Sequence, residues 1–143
     1  TGVTSNLGNN VHYSSEAPIP IIKNEELILI RAEARWQTGD LGGAMDDINA
    51  VRVNSGNLDP IAAFPGDQAF EDELLYNRRY SLFFEAGHRW VDLRRFDRLL
   101  DFVGPRGPGD RIYERIPLSA DECTQRNFEP TGCETHQGLV TTQ

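Results

Sequence analysis

Glu85 and Asp92 lie seven positions apart with His88 between them, a set that could supply an acid, a base and a proton shuttle for glycoside cleavage. Their surroundings argue against that chemistry. Gly87 interrupts the helical pattern between the two acids, and arginine neighbours hold both of them ionised. No nucleophile motif places a Ser or Cys beside His88, and a His at a helix start reads as a hydrogen-bonded structural residue. No catalytic residue is assigned, and the chain is not expected to be an enzyme.

The same stretch is rich in arginine. Arg78, Arg79, Arg89, Arg94, Arg95 and Arg98 could gather around an anion, yet Glu73, Glu85, Asp92, Asp97 and Asp101 interleave with them at helical spacings. Mutual ion pairing is the expectation. Arg79, Glu85, Arg89 and Asp92 are assigned to holding two helices together and not to ligand. The segment from Gly104 to Gly109 looks like a phosphate cradle, but Pro105 and Pro108 remove two of the backbone N–H groups that a cradle needs.

Cys123 and Cys133 are the only cysteines, ten positions apart across Pro130 and Gly132, a comfortable spacing for a disulfide, with two free thiols as the alternative. Zinc needs two further ligands, and His12, His88 and His136 are scattered, so no metal site and no cofactor is assigned. Trp36 and Trp90 each fall on an apolar stripe, which favours core packing over sugar stacking. His12 and Tyr13, in a polar lead-in, are the pair that exposure alone would offer to a ligand.

Several elements must position these residues. The lead-in over residues 1–22 has no sustained period and ends in an extended Ile19, Ile21, Ile22 stretch. From Asn24, Ile28, Ala32 and Trp36 recur every four residues, and Glu25 and Glu26 sit where a helix dipole favours anions, predicting a helix to about Thr38. Gly39 stops it and Asp40 caps the next, which carries Leu41, Ala44, Met45, Ile48 and Val51 to near Gly56. The two form a tetratricopeptide-like hairpin. A third helix is predicted from about Asp67 to Ala86, Gly87 interrupts it, and a fourth follows at once and runs to Val103, followed by an extended crossing over Ile112 to Ile116 and a capping box at Ser119-Ala-Asp-Glu122. One hairpin cannot bury both of its faces, so some of Leu27, Ile30, Trp36, Met45 and Val51 should remain for another surface.

The predicted fold class is therefore mainly α: a tetratricopeptide-like helix pair plus a second helical pair, with long irregular loops and a short extended C-terminal segment. It is read as one domain over 1–143, with a lead-in at 1–22, a helical core at 23–103 and a loop-rich tail at 104–143. A net charge of −8 and a pI near 4.8 would repel a phosphate backbone, which argues against nucleic acid as a partner. No apolar run spans a bilayer, and because the chain opens at Thr1 and not at Met, the lack of a leader says nothing about compartment.

The most specific text is Asn77-Arg-Arg-Tyr-Ser-Leu-Phe-Phe-Glu-Ala-Gly-His-Arg-Trp-Val-Asp-Leu-Arg-Arg95. It resembles the signature of SusD/RagB nutrient-capture lipoproteins. Arg79, Glu85, Gly87, His88, Arg89, Trp90 and Asp92 fall on its signature positions. Ile28-Leu-Ile-Arg-Ala-Glu-Ala34, Gly39-Asp40, Asp47-Ile-Asn-Ala-Val-Arg52 and Ile116-Pro-Leu-Ser119 follow the same family's order, so the likeness runs over about residues 19 to 127. The resemblance implies the C-terminal portion of a helical outer-membrane lipoprotein. Such proteins hold an oligosaccharide or other nutrient at the cell surface over a SusC-like TonB-dependent transporter, with membrane attachment only through a lipidated N-terminus outside this sequence. The alternatives are a tetratricopeptide-like protein-interaction module and a structural surface or assembly protein. The Cys123 to Cys133 insert is not a general feature of the family, and the envelope placement that the family implies favours the disulfide.

Overall fold

The structure, a computed structural model, describes residues 16, 18, 20–83, 87–101, 111–113, 115, 120–125 and 139–140. The chain divides into two compact units, Gly8–Asp92 and Leu93–Gln143 with Thr1–Leu7. The described residues are mainly helical.

In the first unit α1 (Asn24–Gln37), α2 (Leu41–Asn54) and α3 (Asp67–Ser81) pack against one another in all three combinations. Leu29 and Ala32 of α1, Ala44, Ile48 and Val51 of α2, and Phe70 and Leu74 of α3 are fully enclosed and form the core. The turn between α1 and α2 is tight because Gly39 adopts φ +87°, a left-handed conformation that a Cβ disfavours. Its N–H donates to Trp36 O at 3.0 Å, and Asp40 then caps α2 by accepting from Gly43 N at 3.0 Å. Trp36 seals the outer end of the hairpin. Its ring lies 5.3 Å from that of Phe70, and its Nε1 donates to Asp67 Oδ1 at 2.8 Å.

Met45 and Val51 are buried core residues and Trp36 is half-buried, so the apolar residues left outward on α1 are Leu27, 57% exposed, and Ile30, 48% exposed. A stripe wide enough to serve two neighbours is filled on α2 by contact with both α1 and α3.

The third helix ends at Ser81, five residues before the predicted Ala86. Leu82 leaves the helical region at φ −105°, ψ 30°, and its side chain turns into the core. The run Leu82-Phe83-Phe84 is apolar at every position and carries no period that marks a helix end.

The fourth helix, α4 (His88–Arg95), is also shorter than predicted. Asp97 adopts φ +55°, which an L residue rarely holds inside a helix, and a 3₁₀ turn over Leu99–Asp101 follows. That turn preserves the helix-like spacing of Leu93, Phe96, Leu99 and Leu100, which is why the pattern reads as one longer helix. Within the second unit β1 (Arg111–Ile112) pairs antiparallel with β2 (Leu139–Val140), Ile112 opposite Leu139. The tail therefore supplies a strand where the sequence shows only a polar loop. A short α5 (Ala120–Gln125) forms at the expected place, while Ser119, its predicted cap, and the Gly104 to Gly109 loop lie outside the described residues.

Candidate functional site

Asp47 sits on the inner face of α2, between Ala44 and Ile48, where an unpaired carboxylate would be costly. Two arginines one helical turn apart on α1 satisfy it. Arg31 Nε and Nη2 donate to its two oxygens at 2.9 and 2.6 Å, and Arg35 Nη1 donates to Oδ2 at 2.9 Å. The hydrogen bond and the charge of Asp47 together raise the Arg31 guanidinium above its ordinary pKa. Arg35 also reaches Gly43 O at 3.1 Å, which ties α1 to the first turn of α2.

The rest of the Asp47-Ile-Asn-Ala-Val-Arg52 stretch does similar work. Asn49 Nδ2 donates to Ile61 O at 3.0 Å and its Oδ1 accepts from Ile61 N at 2.8 Å, a reciprocal pair that holds the 57–66 loop as a strand neighbour would. Arg52 pairs with Glu73 on α3, and its Nε donates to Asp59 O at 3.1 Å.

Between α3 and α4 the connection is a buried ion pair. Arg78 Nε donates to Asp92 Oδ2 at 2.7 Å, and the two side chains are 5% and 2% exposed. Arg79, assigned to this contact from the sequence, points outward one position beyond the buried face, its guanidinium 5.5 Å from the ring centre of Tyr80. The register of α3 decides the difference: Phe70, Leu74 and Arg78 recur every four residues on the inner face. Gly87 adopts φ +72° immediately before α4, and His88 Nε2 lies 3.4 Å from Glu26 Oε1 of α1. Arg89 and Trp90 are half-buried.

A cavity of about 420 Å³ opens among these groups. Arg78, Arg79, His88 and Arg89 supply its polar wall and Leu82 and Phe83 its apolar wall, with Gly87 at its edge. On the exposed side of α3, the rings of Tyr76 and Tyr80 lie with centres 4.7 Å apart and planes inclined at 53°. His12, Tyr13 and Glu85 lie outside the described residues, as does the Cys123 to Cys133 bridge.

The SusD family sequence model matches residues 3–135. The chain belongs to the SusD family. SusD-like protein P38 of Formosa agariphila is 31% identical over 94 residues, a stretch that is 61% of this chain and 18% of that relative. The chain thus spans about a fifth of the curated relative that it matches. No solved structure matches it.

Within this SusD family chain, two of the signature residues that the structure describes reach partners on other helices: Asp92 pairs with Arg78, and His88 with Glu26. The sequence reading named the Arg31 and Asp47 segments without joining them. A carboxylate on the apolar stripe of α2, opposite two arginines four apart, is the signal that could have done so. The Tyr76 and Tyr80 spacing likewise marks the exposed side of α3.

Proposed function

We propose that this chain is part of a nutrient-binding protein of the cell envelope, which captures its ligand at the outer-membrane surface without transforming it. Glycan is the favoured ligand, a SusC-like TonB-dependent transporter the favoured partner, and a lipidated N-terminus the means of attachment. The carrying observation is that the SusD family match is continuous from residue 3 to residue 135. The structural roles of its signature residues support the reading. Arg78 and Asp92 pair out of solvent, and Glu26 faces His88, which ties the start of α4 to α3 and α1.

Fractionation of cells producing the intact gene product tests this. The protein should be recovered in the outer membrane, be digested by protease added to whole cells, and carry a TonB-dependent transporter through detergent purification. Recovery in the cytosol with no transporter would remove the proposal.

Leu27 and Ile30, outward on α1, favour a second reading in which this hairpin is a packing module for another polypeptide segment. The two are compatible within one longer protein.

A further inference from the structure

We propose that the cavity between the end of α3 and the start of α4 is a carboxylate-binding pocket, with Arg78, Arg79 and Arg89 facing the carboxylate and Leu82 and Phe83 facing the remainder of the ligand. The proposal goes beyond nutrient capture in general, because it names a place and a ligand chemistry and does not require that the ligand be a glycan.

Charge is the first ground. The chain carries a net −8, yet the described lining holds three arginines and a histidine, of which Arg78 is paired with Asp92 and His88 faces Glu26, while Arg79 is exposed. The start of α4 is the second. A helix N-terminus is the positive end of the peptide dipoles and leaves its first N–H groups without intrahelical acceptors. α1 places Glu25 and Glu26 there and α3 places Asp67, whereas α4 opens on His88 and Arg89 with no acidic residue in its first turn. An anion seated at this end interacts favourably with the peptide dipoles.

The third ground is independent of the helix. Arg78, 95% removed from solvent, has its Nε on Asp92, while its Nη1 is buried with no hydrogen-bond acceptor among the described residues. A guanidinium is a planar fork suited to the two oxygens of a carboxylate. Arg78 lines the cavity beside Phe83 and Arg79, both exposed, so a carboxylate that enters there supplies the acceptor that Nη1 lacks. A volume of about 420 Å³ also lies in the range of small-molecule sites.

Titration calorimetry of the 143-residue chain at low salt tests the proposal, with sodium glucuronate, glucose, benzoate and sulfate as the four probes. Glucuronate should bind about tenfold tighter than glucose, and Arg79→Gln should weaken it by about tenfold, since a charge-assisted contact is lost. Arg79 is exposed, so circular dichroism of R79Q should be unchanged. Amide resonances of His88 and Arg89 should shift on addition of the acid. Glucuronate binding with these features identifies an acidic saccharide, and benzoate binding with the same features in its place identifies a non-sugar acid. Either upholds the carboxylate site. Failure of both acids to bind, binding of sulfate alone, an unaffected R79Q, or shifts confined to other helices would overturn it. Binding of a neutral glycan alone removes this pocket and leaves nutrient capture standing.

Discussion

Arg78 and Asp92 meet at 2.7 Å with almost no exposure to solvent, and they link α3 to α4 through their side chains. An ion pair in such a setting adds little net stability by its presence, because both charges have lost their hydration. Its removal from one side is a different matter. The group that remains is a buried, uncompensated charge.

Asp92→Ala should therefore destabilise the chain by about 3–5 kcal/mol, and Arg78→Met combined with Asp92→Leu should recover much of that loss. Urea melts of the single and double variants measure both. Equal stability of Asp92→Ala and the parent chain would show that the pair is not buried in solution.

The Asp47 clamp is unequal in its two arms. Asp47 and Arg31 are bonded at 2.6 Å, but the Arg31 side chain is 58% exposed and Arg35 is the better enclosed partner. Asp47→Ala removes the carboxylate that Arg31 and Arg35 share and should cost about 2–4 kcal/mol. Arg35→Ala should be clearly worse than Arg31→Ala in a thermal melt; the reverse order would reassign the clamp. The pKa of Arg31 is raised in the folded state, so its contribution is fully present below the ordinary guanidinium range and is lost only as pH rises through the higher folded value. Across neutral and acid pH the Arg31 arm stays charged.

Gly87 holds φ +72° with open space where a Cβ would point. Gly87→Ala meets no atom of the described residues and should incur the left-handed backbone cost, about 1–2 kcal/mol. Gly87→Asn, whose side chain tolerates this conformation, should cost less. A difference of the opposite sign between the two melting points would mean that the turn is not left-handed.

The helical hairpin was legible because a 3.6-residue period, a glycine stop and an aspartate cap all agree over residues 24–54. The ends of α3 and α4 were not, since Leu82 and Asp97 leave the helix by backbone conformation alone while the apolar spacing continues. Ion pairing among the arginines was anticipated as a class. Its register was not: choosing Arg78 over Arg79 requires knowing which face of α3 is inward, and the alternation of Arg78 and Arg79 in sequence carries that only through Phe70 and Leu74. The β1–β2 pairing joins residues far apart in the chain, and a two-residue strand leaves no period to read.

The spacing of Cys123 and Cys133 supports a bridge that would stabilise a small loop by about 2–3 kcal/mol. Alkylation of the native chain without reductant should add no mass, and after reduction it should add two groups. Two groups added before reduction would show free thiols and would weaken the case for an oxidising compartment.

The outward face of α1 supports a last prediction. Leu27 and Ile30, three positions apart on α1, are about half exposed, and Ile21 and Ile22 just upstream in the sequence are more so. None of the four contributes to the enclosed core, so replacing them costs the fold little, while an apolar patch open to water favours association. The isolated chain should therefore show concentration-dependent sedimentation, and Leu27→Glu with Ile30→Lys should render it monodisperse with a melting point within about 2 °C of the parent, as expected for exposed sites. The two measurements separate the possibilities. A fall of many degrees would place Leu27 and Ile30 in the core, and a parent chain that is already monodisperse at high concentration would show that this face has no affinity for a second copy.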